Sequence, residues 1–351
     1  MEKIEKQKPS LINRLKSISK NGNGNIIRLL AAVIIIFTLL SVTRTETFLT
    51  MRNMQSMAFQ ASEIGILTIA IMLTMISGGI DLAIVSTAGL SGIIAGLILT
   101  AMVPPGSPPA TVAIGLVLAI LAALAIGIVC GLFSGYLVAY WKMPPILATL
   151  GTSLLYKGFG TAITGGITIF GIKESQFIGN GLVFGIPFPL ILLLVVAIII
   201  GIITRRTRFG FNLYLLGSNP KAAYFSGINN KKILLLTYMA SGILSAIAGI
   251  VILGRTNAMN VDFGASYVLL AILIAVLGDV DPDGGSGSVV GVILALVALQ
   301  FLSTGFNMLL FKASGANFFK EFAWGLLLIF VLISNHLSEK RSANRAFPKE
   351  T

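Results

Sequence analysis

The sequence predicts an all-α, polytopic membrane protein with about ten transmembrane helices, some of them short or broken. Of its 351 residues 56% are apolar and only 11% are charged, less than half the charge of an average soluble domain. Four long stretches carry no charged side chain: 82–141, 175–204, 233–254 and 284–311. At 1.5 Å per residue each can cross about 30 Å of hydrocarbon as a helix. Apolar runs such as 191–200 lack the period-two alternation of a membrane barrel, so helices are the remaining spanning element.

Hydropathy places ten apolar segments in order along the chain. They are 26–42, 57–76, 82–103, 112–140, 146–163, 187–203, 233–253, 265–279, 286–311 and 318–335. Two of these are irregular, because 146–163 follows Pro144-Pro145 and contains Lys157, and 265–279 has only about fifteen residues. Broken helices at membrane depth occur where protein or a water-filled cavity satisfies the backbone, which is typical of transporters.

Glycines predict close packing between helices and a weak similarity between the two halves. Gly127, Gly131 and Gly135 form a stripe of small residues four apart, as do Gly287 and Gly291. The motifs Gly78-Gly79-Ile-Asp and Asp-Gly284-Gly285 each precede a helix rich in small residues. An internal repeat of the kind found in transporters and chance both remain open as explanations.

The net charge of +12 is concentrated in three basic stretches, at 1–28, 204–232 and 336–351. Such stretches mark cytoplasmic segments, and ten crossings place all three on the same side. We therefore expect a cytoplasmic tail at 1–25, one transmembrane domain at 26–335 containing cytoplasmic loop 204–232, and a cytoplasmic tail at 336–351. No aromatic-interleaved groove accompanies the basic residues, so a nucleic-acid partner is not predicted and the lipid bilayer is.

No constellation for covalent chemistry is visible, and no catalytic residue is predicted. Cys130, the only cysteine, lies within an apolar helix, and His336, the only histidine, is more than 200 residues away. A membrane-embedded enzyme is therefore disfavoured. The chain contains no Gly-x-x-x-x-Gly-Lys-Ser/Thr nucleotide loop, so any ATP-driven transport would require a separate ATPase.

An acidic loop at 279–284 resembles the first half of a calcium-binding loop. Asp279, Asp281 and Asp283 occupy its first, third and fifth positions and Gly284 its sixth, but the twelfth is Val290 where a glutamate is required. We therefore predict no metal site and a polar turn between helices. The role of the three acids stays open.

Polar residues inside the apolar segments are candidates for a substrate path, because a charge at the bilayer centre costs about 2.5–3.5 kcal/mol. Gln60 and Glu63 lie one helical turn apart and share a face. The candidate path residues are Gln60, Glu63, Gly78, Gly79, Asp81, Tyr156 and Lys157. Structural pairing or a place at the membrane interface is the alternative for the charged ones.

Two motifs carry a family resemblance that covers roughly residues 57–335. The stretch Ile76-Ser-Gly-Gly-Ile-Asp-Leu82 resembles the permease subunit of ATP-binding-cassette importers for ribose and other simple sugars, in the superfamily that includes branched-chain amino-acid permeases. The more specific match is Leu216-Gly-Ser-Asn-Pro-Lys-Ala-Ala-Tyr-Phe-Ser-Gly-Ile228, which is similar to the cytoplasmic loop of that family. The basic lead-in 205–210 and the small-residue run 240–249 are similar as well.

The resemblance implies the transmembrane subunit of an ATP-driven importer that works by alternating access in the bacterial cytoplasmic membrane. It implies a cytosolic ATPase carrying ATP and Mg, an extracytoplasmic solute-binding protein, and a second permease copy or a paralogue; no cofactor is expected on this chain. The residues expected to couple to the ATPase are Gly217, Asn219, Pro220, Ala222, Ala223, Tyr224, Ser226, Gly227 and Ile228.

Local sequence agrees with that role. Asn219-Pro220 is a helix-start signal and Gly227 a stop, so we expect a short helix that presents Ala222, Ala223 and Tyr224 to the partner.

The solute and one rival mechanism stay open. The loop 278–287 keeps the family's glycines but replaces a neutral stretch with three acids, so the solute stays open between ribose, another sugar, a furanosyl signalling molecule, a nucleoside and an amino acid. A secondary transporter or channel using Glu63, Asp81 and Lys157 without an ATPase is the alternative function.

Overall fold

The computed structural model describes residues 24–104, 106–170, 176–309, 322–327, 329 and 333, and the chain is predominantly helical there. The helices are α1 (Gly24–Thr43), α2 (Thr45–Phe48), α3 (Met51–Ile76), α4 (Ile84–Met102), α5 (Pro109–Ala139), α6 (Pro145–Thr164), α7 (Gln176–Asn180), α8 (Phe188–Arg206), α9 (Arg208–Ser218), α10 (Pro220–Phe225), α11 (Asn230–Thr256), α12 (Tyr267–Leu277) and α13 (Val289–Leu309). Residues 322–327 are also helical.

Seven helices of the described residues are long and apolar enough to cross a membrane: α1, α3, α4, α5, α8, α11 and α13. The predicted multi-spanning helical class is therefore confirmed, whereas the number of about ten spans is not. Segment 146–163 forms the 20-residue helix α6, which is not among the seven, and segment 265–279 shortens to the 11-residue α12. Most of segment 318–335 and nearly all of both expected tails, including His336, lie outside the described residues.

Within the described ranges, four two-residue strands lie between the helices. Strand β1 (Ile169–Phe170) pairs antiparallel with β4 (Ala258–Met259), and β2 (Leu182–Val183) pairs antiparallel with β3 (Ile186–Pro187). The β2–β3 hairpin lies at the start of α3, because Gln55 donates a hydrogen bond to the Gly185 carbonyl at 3.0 Å. The hairpin is therefore at the opposite end of α3 from Ile76.

Helix α3 is the centre of the bundle. Nearly every side chain from Ala61 to Ile76 is buried, and the helix packs against α8, α11, α12 and α13. Gly65 permits this packing, because a side chain there would overlap Leu193 of α8 and Leu296 of α13. A helix that is apolar around its whole circumference is expected to be enclosed in this way.

The predicted glycine stripe on α5 is a helix contact, as expected. A side chain at Gly127 would overlap the carbonyl oxygen of Gly242, and one at Gly131 would overlap that of Tyr238, both on α11. Small residues thus bring the two backbones together. The opposite faces of α5 and α8 expose large apolar side chains such as Val129 and Ile198, as expected where helices contact lipid.

Candidate functional site

The short helix α10 follows from local capping signals. The Asn219 side chain accepts a hydrogen bond from the Ala222 amide at 3.0 Å, and Pro220 occupies the first helical position. The helix stops at Phe225, and Gly227 follows with φ of +81°, a conformation that favours glycine. Asn230 donates to the Pro220 carbonyl at 2.8 Å and thereby ties the helix to the start of α11.

The surface of α10 differs in part from the expected one. Ala222 and Tyr224 are exposed as expected, but Ala223 is fully buried, because the helical period turns it towards the bundle. The prediction that Ala223 is presented to a partner is therefore wrong. Phe225, which we did not select from the sequence, is 85% exposed, and its ring centroid lies 5.8 Å from that of Tyr224.

The aromatic pair gives this surface the composition of an interface. Tyr224 is 68% exposed, and Phe211 of α9 is exposed as well. Aromatic residues with arginine are typical of protein interfaces, and the surrounding loop 204–232 holds six Lys or Arg and no acid. We call Tyr224 and Phe225 the aromatic pair below.

Gly217 joins α9 to two other segments at a point of close backbone contact. A side chain at Gly217 would overlap the carbonyl oxygen of Ile76 and approach the amide of Gly285. That amide donates a hydrogen bond to the Ile76 carbonyl at 3.0 Å. Gly284, with φ of +100°, lies directly against Gly78. The two glycine motifs that echo each other in sequence therefore meet here, and we call this contact the glycine junction.

The glycine junction connects α9 to the ends of α12 and α13. The Tyr214 hydroxyl donates to the Gly287 carbonyl at 2.8 Å, and a side chain at Gly291 would overlap the Gly278 carbonyl oxygen. The loop between α12 and α13 is a polar turn as predicted, in which Asp281 accepts a hydrogen bond from the Asp283 amide at 2.9 Å. Within the described part of the chain, no three His, Cys, Asp or Glu side chains are grouped as a metal site.

Asp81 ties α4 to α11 near the same end of the bundle. Its carboxylate accepts one hydrogen bond from the Ser241 hydroxyl at 2.7 Å and one from the Ala83 amide at 2.9 Å, and it is buried. Gly79 allows this loop to approach Pro145 and the Tyr238 hydroxyl closely. Asp81 thus stabilises the turn that leads into α4 and links it to α11.

Glu63 and Arg255 form an ion pair within the bundle. Glu63 lies near the middle of α3 and is fully buried, while Arg255 lies in the last turn of α11 and also contacts the Tyr267 side chain at the start of α12. Ser241 and Arg255 are fourteen residues apart on α11, so this pair is about 21 Å along the helix from Asp81.

A cavity of about 380 Å³ adjoins the ion pair. Its lining residues come from α3, α11, α12 with its N-cap Ser266, and α13, and from residue 324: Gln60, Ile64, Arg255, Ser266, Tyr267, Leu270, Ile274, Leu296, Leu299, Gln300, Ser303 and Trp324. The structure thus brings the candidate path residue Gln60 into a cavity and leaves Glu63 behind its wall, bonded to a lining residue. Gln300 and Arg255 are lining residues that we did not select from the sequence.

Tyr156 and Lys157 are apart from this cavity. The Tyr156 hydroxyl donates to the Cys130 carbonyl at 2.7 Å and lies 3.0 Å from the Ser134 hydroxyl oxygen, which holds α6 against α5. Lys157 forms an ion pair with Asp262 in which the side chains are 45% and 66% exposed. The seven candidate path residues therefore occupy three places: the cavity and the wall behind it (Gln60 and Glu63), the loop after α3 (Gly78, Gly79 and Asp81), and α6 (Tyr156 and Lys157).

Comparison with known proteins identifies the family. A family model described as "Branched-chain amino acid transport system / permease component" matches residues 53–333. The Autoinducer 2 import system permease protein LsrD of Escherichia coli strain K12 is 31% identical over 302 residues, which cover 83% of this chain and 87% of that protein. The protein of the same name from Enterobacter sp. strain 638 is 33% identical over 307 residues, 85% of this chain and 89% of that one. No solved structure matches the chain. The chain therefore belongs to this family of transport-system permease components, as the resemblance of its motifs predicted.

Proposed function

We propose that the chain is the membrane-spanning subunit of an ATP-driven importer and provides the path for a simple sugar or similar small polar solute. As a permease it is a transport subunit and not an enzyme. A separate cytosolic ATPase binds ATP and Mg, a solute-binding protein delivers the solute from outside, and a second permease copy or paralogue completes the path. The similarity to an autoinducer 2 import system permease protein supports an import function.

The observation that carries the proposal is the connection of α10 to the bundle. The helix exposes an aromatic pair at the basic end, where the ATPase would dock through residues 204–232. Through Gly217 it continues into backbone contacts with Ile76 and with Gly285. A force applied to α10 would therefore reach the ends of α3, α12 and α13 without passing through flexible side chains. Closure of the ATPase would favour one arrangement of these helices and hydrolysis would release it.

The positive-inside rule sets the orientation in this proposal. The basic loop 204–232 faces the cytoplasm, as do the tails 1–25 and 336–351, in the bacterial cytoplasmic membrane. The single transmembrane domain is 26–335. The β2–β3 hairpin, at the opposite end of α3, faces outward, towards the solute-binding protein.

The rival function is a secondary transporter or channel. It would require charged side chains that are free to bind and release the coupling ion or proton. Glu63 is bonded to Arg255, Lys157 to the exposed Asp262, and Asp81 to a hydroxyl on α11 and a backbone amide. Each of these charges already has a structural partner, which favours the importer.

Cysteine cross-linking to the ATPase partner tests the docking surface. Phe225→Cys places a thiol on the exposed aromatic pair, and Phe184→Cys is a matched control, because that side chain is also fully exposed but lies in the hairpin at the other end. The native Cys130 is buried and is replaced by alanine in both variants. We expect a cross-link from Phe225→Cys alone. A cross-link from the hairpin position, or none from Phe225→Cys in a complex active in ATP-driven uptake, would overturn the proposal.

A further inference from the structure

We propose that the cavity beside the Glu63–Arg255 pair is a binding site for a neutral, hydroxyl-rich solute at membrane depth. This inference rests on the proposed import function and names the place and the chemistry at which that function holds its solute. The volume of about 380 Å³ falls within the range of about 300–1,000 Å³ typical of small-molecule sites.

The cavity joins polar and apolar walls in the way small polar solutes require. Gln60, Arg255, Gln300 and Ser303 offer hydrogen-bonding groups, while leucine and isoleucine side chains of α12 and α13 form the apolar wall. Trp324 is also a lining residue. An aromatic face and a few placed polar groups suit a ring that carries hydroxyls on its edge and C–H groups on its face.

Two buried polar atoms at this place have no hydrogen-bond partner within the described residues. The Gln300 side-chain nitrogen is a donor without an acceptor on a residue that is 92% buried. The second carboxylate oxygen of Glu63, bonded through its first oxygen to the lining Arg255, is an acceptor without a donor. Buried polar groups are nearly always satisfied, so an unpaired donor points to an absent partner. A hydroxyl oxygen accepts hydrogen bonds, so a hydroxyl-bearing solute complements the donor of Gln300, which lines the cavity, whereas Glu63 acts only through Arg255.

The charge of the site favours a neutral solute. Glu63 already compensates Arg255, so the pair adds no net charge to the wall. An anion at this place would compete with Glu63 for the guanidinium and would lie near a buried carboxylate, which is unfavourable at low dielectric constant. The guanidinium keeps donors beyond the one used for Glu63, and a hydroxyl oxygen can accept from them.

The position of the cavity fits alternating access. Tyr267 and Ile274 line it from α12, and α12 ends at the loop that contains Gly284 and Gly285 of the glycine junction. A displacement at the junction therefore changes the wall of the cavity. A moderate number of weak bonds suits a path from which the solute must also leave.

The site is tested with the full chain in lipid nanodiscs, without ATPase or ATP. Saturation-transfer NMR measures the weak binding of small-molecule probes to it. The probes are D-ribose and D-glucose as neutral polyols, D-ribose 5-phosphate as an anion and L-leucine as a zwitterion. We expect at least one neutral sugar to bind, more tightly than either charged probe. Gln300→Leu should weaken its binding about fivefold, which corresponds to one hydrogen bond. Ser303→Ala, which changes less volume, should also weaken it.

Gln55→Leu is the matched control, because Gln55 is on the same bundle but bonds the β2–β3 hairpin outside the cavity. Its binding of the sugar should be unchanged. No binding of either sugar, tighter binding of the phosphate or of leucine, or an equal loss in Gln55→Leu would each overturn the site.

The failure of the site and the failure of the import function are distinguishable. In a complex reconstituted with the ATPase, Gln300→Leu should raise the KM for solute. Suppose that uptake is ATP-driven, that no sugar binds in the nanodisc and that the KM of the variant is unchanged. This result would reject the proposed site and keep the import function. Uptake that needs no ATPase would remove the import function itself.

Discussion

Replacement of Gly217 by alanine should separate ATP hydrolysis from transport. The added methyl group would overlap the carbonyl oxygen of Ile76 and would lie 2.5 Å from the Gly285 amide nitrogen, so one backbone must move. Overpacking of this kind costs about 1–3 kcal/mol, and the Gly285–Ile76 hydrogen bond adds about 0.5–1.5 kcal/mol where it breaks. A cost of about 2 kcal/mol to the arrangement in which the junction is closed shifts its population about 30-fold.

The assay measures ATP hydrolysis and solute accumulation in parallel, in proteoliposomes that contain the permease with its ATPase. Gly217→Ala should lower the solute accumulated per ATP by about tenfold or more, with the complex still assembled. Gly201→Ala is the matched control, because its methyl group would have only an ordinary contact with Val289, at 4.0 Å. An unchanged ratio in Gly217→Ala, or an equal loss in Gly201→Ala, would refute the role of the junction.

Three further substitutions give separate tests. Asn219→Ala removes the cap of α10 and should cost that helix about 1 kcal/mol and slow uptake several-fold, whereas Asn219→Asp keeps the cap; equal loss of uptake in both would exclude a capping role. Glu63→Gln leaves the partly exposed Arg255 without its counter-ion and should lower stability by about 1.5–3 kcal/mol in thermal unfolding, and a second change of Arg255 to Met should restore part of it, an outcome that additive losses would contradict. Lys157→Ala removes only a half-exposed pair with Asp262 and should change stability by less than about 1 kcal/mol; a larger loss of stability or of uptake would show that Lys157 has a further role.

The parts of the fold that local signals encode could be predicted from the sequence. Asn219-Pro220 and Gly227 define α10 because capping depends on neighbouring residues alone. The glycine stripe on α5 predicted a close helix contact for a similar reason. The exposure of Phe225 and the burial of Ala223 were less accessible, because they depend on how the short helix is rotated against the bundle.

The grouping of the candidate path residues could not be predicted, since it depends on packing between distant segments. Glu63 meets Arg255 across 192 residues, and Gln300 reaches the same cavity from a third helix. Arg255 left one signal in the sequence, because it directly follows the charge-free run 233–254 and reads as the end of a span. Gln300 is uncharged and left no signal of comparable strength.

The most direct measurement of the coupling mechanism is solute accumulation in proteoliposomes that contain either the permease alone or the permease with its ATPase and solute-binding protein. We expect accumulation above the external concentration only where the ATPase and ATP are both present, and none from the permease alone, with or without an ion gradient. Equal accumulation by the permease alone would contradict the assignment of residues 204–232 as the docking site of a separate ATPase.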